Sequence, residues 1–483
     1  MHDDLTESMN RKDKIFISLT ILTSVALFAF VFWLGFPGYF QEDDIYNYLS
    51  VTTNHWHPVS IARFLQSLYF LFGRHTFYLF ALNLFCFYAG FAFFITALYI
   101  RTRNVLAYAL FLITVIGNIF FQNFTQYNSF TFPMLMWLGC SMIFFQILVP
   151  VKNRYLRIAM KMLTGMVLIF ALLWRHNAIV SIYPLCILFI YFYLKQKRIT
   201  SKANYVLRFL ALLVVSACIL GFIVKVYPYV LAESMSKNMA NKIFLLQIAG
   251  MVVPANDHSF IPQTWYENGK NFQNVKERYA RYPQNADQFN DEWEQWSIVR
   301  PFKKDELSGL EMLWLKGILK YPSNYIKHVA GFCKTMWFQY PDWIFDSNAI
   351  QKPPANPWQI VIASNFSENE RKITFSFTQK RIYDFLIRHK IVINHMVGVA
   401  IGFLILSVTG FMWLFLPSFR SDLLLFTLST SLSTFFTAVV VCIFSPITDS
   451  RYMSPVLPLS LISLIGFITF LYLAIFNRHG KKQ

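Results

Sequence analysis

The sequence predicts an all-α integral membrane protein with about ten transmembrane helices, and three observations carry that prediction. Hydrophobic residues fill 56% of the 483 positions and aromatic ones 18%, a load that a single water-soluble globule has too little interior to bury. Apolar runs of about twenty residues recur along the chain, the length that crosses a hydrocarbon core of ~30 Å. The basic residues behind the formal charge of +18 cluster in the short segments between those runs, which makes the charge topological rather than a footprint for nucleic acid.

The predicted spans lie near 15–36, 77–99, 104–121, 130–149, 159–174, 178–194, 207–226, 391–416, 423–443 and 455–476. Arg11, Lys12 and Lys14 precede the first run, but that run is too long for a signal peptide and no small-residue cleavage site follows it. It reads as an uncleaved span entered from a cytoplasmic N-terminus. The cytoplasmic segments then hold Arg101 and Arg103; Lys152, Arg154 and Arg157; Lys195, Lys197, Arg198 and Lys202; and Arg478, Lys481 and Lys482. The short outside connections at 122–129, 175–177 and 444–454 hold only Arg175 and Arg451, the asymmetry expected of a multi-pass protein with both termini inside.

This divides the chain into an N-terminal transmembrane module (1–226), an extracytoplasmic region between the seventh and eighth spans (227–390) and a C-terminal transmembrane module (391–483). In the loop after the first span, Ile61, Phe64, Leu65, Leu68 and Phe72 recur on one side of a segment from Pro58 to Gly73, with Arg63 and Gln66 toward another. The spacing predicts a helix either lying along the membrane surface or packed on the bundle. In 227–390, stretches 307–320 and 324–340 are amphipathic, the first through Leu307, Leu310, Leu313, Trp314 and Ile318. Many Trp residues there predict a partly helical layer resting on the bilayer rather than an independent soluble domain. Five of the six cysteines fall in spans and Cys333 stands in a polar stretch, so all six read as small fillers or bystanders.

Three polar constellations remain, all on the outer side. Glu42, Asp43 and Asp44 stand together just past the first span. Adjacent acids repel one another, so one can be tuned as a base or draw in a cation. A plainer reading is a solvated loop end. His55 and His57 follow, able to ligate a divalent ion with the acids, to bind a diphosphate or sugar, or simply to anchor at the interface; their spacing is no metal signature. Arg175, His176 and Asn177 occupy a turn between two spans, where an arginine either clamps a phosphate or snorkels to headgroups. Asp449, Arg451 and Tyr452 precede Pro455 at the start of the last span. Arg451 can neutralise a leaving phosphate with Asp449 orienting it, or the pair is a surface salt bridge. Arg63, Lys225 and the pair Asp257 and His258 are lesser candidates. There is no Walker loop, dinucleotide fingerprint or His-Glu-x-x-His string.

This order of features resembles the multispanning glycosyltransferases of the GT-C superfamily: one span, then Phe40-Gln41-Glu42-Asp43-Asp44 through His57-Pro58 before an interfacial helix, then Arg175-His176-Asn177, then Arg451-Tyr452 with Pro455. The resemblance implies a sugar donor on a polyprenyl-phosphate carrier, a base at Asp43 or Asp44, and substrate contacts from the other motif residues, in a bacterial cytoplasmic (inner) membrane. The chain departs from the oligosaccharide-transferring members in lacking their large C-terminal soluble domain. That favours an acceptor such as a lipid-linked glycan, lipopolysaccharide or cell-envelope polymer. The alternatives are a flippase or transporter of a lipid-linked saccharide, which needs polar or broken helices near mid-membrane, and a non-catalytic envelope-polymer assembly subunit docking through 227–390.

Overall fold

The computed structural model describes residues 11–38, 49–51, 59–103, 128–175, 178–197, 201–231, 241–289, 301–303, 307–340, 357–371, 374–389 and 393–479. Among them the fold is all-α. The membrane-length helices are α1 (Arg11–Gly35), α3 (Tyr78–Thr102), α4 (Asn128–Leu148), α5 (Arg154–Trp174), α6 (Ala178–Gln196), α7 (Lys202–Leu231), α15 (His395–Phe415), α16 (Asp422–Phe444) and α17 (Val456–His479). These nine are long and apolar enough to cross a membrane, and they match nine of the ten expected spans. The tenth, 104–121, lies outside the described residues. Lipid offers backbone groups no partners, so helices that satisfy their own N–H and C=O groups are the economical way across. α7 buries none of its apolar stretch within the protein, as a lipid-facing helix should.

Between the spans lie α2 (Val59–Phe72), α8 (Asn241–Ala255), α9 (Phe272–Arg281), α10 (Leu310–Lys320), α11 (Pro322–Phe338), α12 (Pro357–Ser364), α13 (Glu368–Arg371) and α14 (Phe377–Arg388). The amphipathic stretches expected in 307–340 are α10 and α11. Leu307 and Leu310 are buried, with Leu313, Trp314 and Ile318 packed beside them.

Side-chain contacts fix which helix ends share a face. Phe16 stacks on Tyr99 and Phe32 on Phe80, so α1 and α3 are antiparallel. Asp13, almost fully buried, pairs with Arg103 at one end. Lys195 pairs with Asp422 at 2.7 Å where α6 ends and α16 begins. Rings pair Phe87 with Trp137, Phe94 with Phe144 and Phe93 with Phe145, so α3 and α4 run parallel. Thr102 and Asn128 therefore lie at opposite faces. Gly90 lets the α3–α4 pair close up, since a Cβ there would stand 2.3 Å from Trp137 Cδ1. Two pairs of the segments expected on one side by charge thus meet, 11–14 with 101–103 and 195–197 with 420–422.

Two apolar clusters divide the molecule, and α16 belongs to both. Leu424 and Phe426 near its start join the cluster of α3, α4, α5 and α6. Ala438, Val441 and Cys442 near its end join a second cluster built from α8, α10 and α11. Between them α16 carries a run of buried hydroxyls, and Thr427, Thr430, Ser433, Thr434 and Thr437 each donate to the carbonyl four residues back. That local bonding lets polar groups sit in hydrocarbon. Two of them also reach neighbours: Ser181 to Thr437 at 2.6 Å and Ser463 to Thr430 at 3.0 Å. Gly402 and Gly466 give α15 and α17 close approach at Thr434 and Thr427.

The region between α7 and α15 is therefore attached in two places. α8 to α11 rest on α16 and on the turn before α17. α12 and α14 instead pack in the first cluster through Ile362, Ala363, Phe366 and Tyr383. Between them Glu370 of α13, 8% exposed, binds His75 Nδ1 at 2.6 Å and accepts from Ser367 at 2.9 Å.

His328 on α11 is buried opposite Gly250, and its Nδ1 lies 3.0 Å from the Tyr279 hydroxyl. Burial pushes its imidazole down to about 4, against roughly 6.5 in an unfolded chain. Between those values the unfolded chain holds the proton more tightly. The stability is thus complete above the unfolded value and is lost as pH falls toward the folded one, by about 2 kcal/mol at pH 5. The melting temperature of the wild type should drop between pH 7 and pH 5, and His328→Gln should flatten that drop; equal slopes would assign the acid sensitivity elsewhere.

Candidate functional site

At the face opposite the Asp13–Arg103 and Lys195–Asp422 pairs, Arg175 from one expected constellation meets Arg451 and Tyr452 from another. Arg175 is the residue that ends α5, in extended conformation, and Arg451 lies in the 3-10 turn Ser450–Met453 that precedes α17. Each guanidinium carbon stands 5.2 Å from the centroid of the Tyr452 ring. Planar guanidinium groups favour aromatic faces, so one half-buried tyrosine gathers two cations supplied by turns far apart in sequence.

Asp449 completes the set. Its Oδ2 lies 2.9 Å from Arg451 Nε, with both side chains about four-fifths buried, and its Oδ1 accepts from the Arg451 backbone N–H at 2.9 Å. One carboxylate thus caps the turn and aims the arginine. Among the described residues this set counts two guanidinium groups and one carboxylate, groups of the kind that bind an anion such as a phosphate.

The turn is held from the non-membrane layer. Ala286 N donates to Pro446 O at 2.7 Å and Thr448 N to Gln284 O at 3.3 Å, around an antiparallel bridge between Asn285 and Ile447. Gln339, just past α11, donates from Nε2 to Thr448 O at 3.0 Å while its own carbonyl accepts from His395 N at 3.3 Å. Lys242 of α8 pairs with Asp287 beside that bridge. None of these braces was singled out in the sequence, where isolated Gln and Asn in a polar loop carry no pattern.

α2 builds the other wall. Ser60 donates to Leu173 O, and Phe64 packs edge-on against Trp174 at 5.7 Å. The start of α2 is therefore docked on the last turn of α5, beside Arg175. Trp174 is fully buried, and among the described residues its indole N–H finds no acceptor. Ile61 and Leu65 are buried as expected, with Phe64 and Leu68 packed against the same cluster. Phe72 departs from that face: with Phe70 and Leu71 it is exposed, because the last turn of α2 runs past the bundle. The helix is packed on the bundle over its first half and exposes apolar side chains at its end. Arg63 bonds Gln66 Oε1 at 2.9 Å, and Gln66 reaches back to Val51 O at 3.1 Å.

Glu42, Asp43, Asp44, His55, His57, His176 and Asn177 lie outside the described residues. The described residues flanking the acidic loop are Gly38, Leu49–Val51 and Val59, and the last of these opens the helix docked beside Arg175. Among the described residues no cluster of His, Cys, Asp or Glu is arranged to hold a metal ion. Asp257 proves structural: hydrogen bonds from Tyr321, Lys320 and Ser259 hold its carboxyl well below the usual carboxylate range. Lys225 is exposed on α7. Within the bundle, a groove of about 600 Å³ opens between α1, α3 and α4, lined by Ile21, Val25, Phe85 and Phe93 among others. Chemically it suits a hydrocarbon chain or another apolar helix.

The double duty of Asp449 separates two variants. Asp449→Asn keeps an oxygen to cap the turn and should melt close to wild type, whereas Asp449→Ala removes the cap as well, about 1 kcal/mol. Thermal unfolding in detergent should show the alanine variant melting lower by roughly 2–4 °C; indistinguishable melts would mean the turn is held by the layer alone.

No protein-family profile matches this chain, and neither a curated protein nor a solved structure matches it.

Proposed function

We propose that this protein is a membrane glycosyltransferase that moves a sugar from a polyprenyl-phosphate carrier to a lipid-linked glycan, lipopolysaccharide or other cell-envelope acceptor. The observation that carries the reading is the convergence of Arg175 and Arg451 on Tyr452 at one rim of the bundle. A site for a lipid phosphate belongs there, because its charge must stay at the interface while its tail remains in hydrocarbon. The positive-inside rule supports an extracytoplasmic rim with both termini in the cytoplasm, and the GT-C resemblance supports a bacterial inner membrane. The motif order of the GT-C superfamily supplies the sugar chemistry.

In this mechanism Asp43 or Asp44 takes the proton of the acceptor hydroxyl as its oxygen attacks the anomeric carbon. The bond from that carbon to the phosphate oxygen breaks in the same displacement, and polyprenyl phosphate leaves with the bonding electrons. Arg175 and Arg451 stabilise the charge that grows on it, most strongly in the transition state. Asp449 aims Arg451, and Tyr452 provides the surface on which both cations rest. His55, His57, His176 and Asn177 are assigned to substrate contact, and a divalent ion at the acidic loop would add to the positive field there.

Purified protein in lipid nanodiscs, given a panel of radiolabelled polyprenyl-phosphate sugars and an envelope acceptor fraction, tests this directly. Asn at Asp43 or at Asp44 should lower turnover by about 10²–10⁴-fold at whichever is the base. Arg175→Ala and Arg451→Ala should each lower kcat/KM by roughly ten- to a hundredfold, the worth of a hydrogen bond to a charged group. Full transfer by both folded Asp variants would remove the catalytic assignment. Movement of the carrier across the bilayer without transfer would make the chain a flippase.

A further inference from the structure

Cys333 and Cys442 read from the sequence as unrelated bystanders, one in a polar stretch and the other in a span. The fold brings them together. Cys333 lies on α11 and Cys442 near the end of α16, and on one side of them Gln284 joins the two segments, donating to Gly331 O at 3.1 Å and accepting from Thr448 N at 3.3 Å. A second contact fixes the register. One turn further along α11, Trp337 Nε1 donates to Ala438 O at 3.1 Å, and Ala438 is one turn before Cys442. The same carbonyl accepts from Cys442 Sγ at 3.1 Å. With Gly331 tied toward Thr448 and Trp337 bonded to Ala438, the two segments cross antiparallel, and Cys333 and Cys442 both lie between these contacts. Both thiols are free.

We propose that Cys333 and Cys442 form a reversible disulfide that fastens the layer to the membrane bundle. The reaction needs a disulfide-bearing oxidant, such as a thiol oxidase or a small disulfide. Cys333, the more exposed of the two, attacks it as the thiolate, forming a mixed disulfide and releasing one thiol. Cys442 then attacks the Cys333 sulfur and expels the second thiol. Two thiols of the protein are oxidised and one external disulfide is reduced to two thiols, so electrons and protons balance. Burial of Cys442 keeps it from external reagents and leaves Cys333 as its partner.

The bond would stiffen the site. Gln339, which braces the turn through Thr448, lies six residues beyond Cys333, and Asp449 follows Cys442 by seven. Both arms leading to the turn would then start from one covalent anchor. In cells the bond rests on the sidedness proposed above, since oxidants act outside the cytoplasm. In purified protein it rests on this placement alone, so it can succeed or fail independently of sugar transfer.

The full chain in detergent is incubated with oxidised glutathione, alkylated with iodoacetamide, digested without reduction and mapped by mass spectrometry. The expected product is one cross-linked peptide joining Cys333 to Cys442, released by dithiothreitol, and missing from Cys333→Ser and Cys442→Ser. Oxidised wild type should also melt at a higher temperature than reduced wild type, a shift that the Ser variants lack. Complete alkylation of both sulfurs after oxidation would overturn the proposal, as would a persistent glutathione adduct on Cys333 beside a free Cys442, or a link to any other cysteine. The wild-type map decides the matter even where a Ser variant fails to fold.

Discussion

Hydrocarbon accepts no hydrogen bond and solvates no charge, and that constraint orders the rest of this molecule. It turns the apolar runs into helices, sends ionic contacts such as Asp13–Arg103 and Lys195–Asp422 to helix ends, and obliges the hydroxyls of α16 to bond within their own helix. At the opposite rim the same pressure gathers Arg175 and Arg451 where water is available. An aromatic ring and one carboxylate hold them in place. The site geometry is thus a consequence of what the membrane forbids in its interior.

α16 translates that constraint into a single body. Its first half is packed into the N-terminal bundle and its second half supports the layer. The glycines opposite Thr434 and Thr427 let α15 and α17 come close enough for side-chain hydroxyls to reach across. The turn carrying Asp449 and Arg451 begins a few residues after α16 ends, so its position is referenced to both halves at once.

Much of this was legible in the sequence because spans and their flanking charges are local properties. The ends joined by Asp13–Arg103 and Lys195–Asp422 are those that charge counting put on one side, and Arg175 and Arg451, the two basic residues of the short outside turns, stand against one ring. Less visible was whatever depends on tertiary contact. That Ile362 and Tyr383 belong with the N-terminal bundle while Phe332 and Met336 belong with the C-terminal helices has no local signature. Gln284 and Gln339 are ordinary loop amides until their backbone partners are known. Phe72 matched the apolar period of α2, yet periodicity does not tell where the supporting helix stops.

The two-sided role of α16 also bears on how the chain is made. Ribosomes deliver about 5–20 residues per second. The layer helices α8–α11 are therefore complete on the order of ten seconds before residues 438–456, their floor, have been synthesised. Until then Leu245, Met251, Phe332 and Met336, all buried in the finished protein, lack the part of their apolar cluster that Ala438, Val441, Met453 and Val456 complete. Late biogenesis, rather than the finished state, is when this protein is most exposed to aggregation and to membrane quality control.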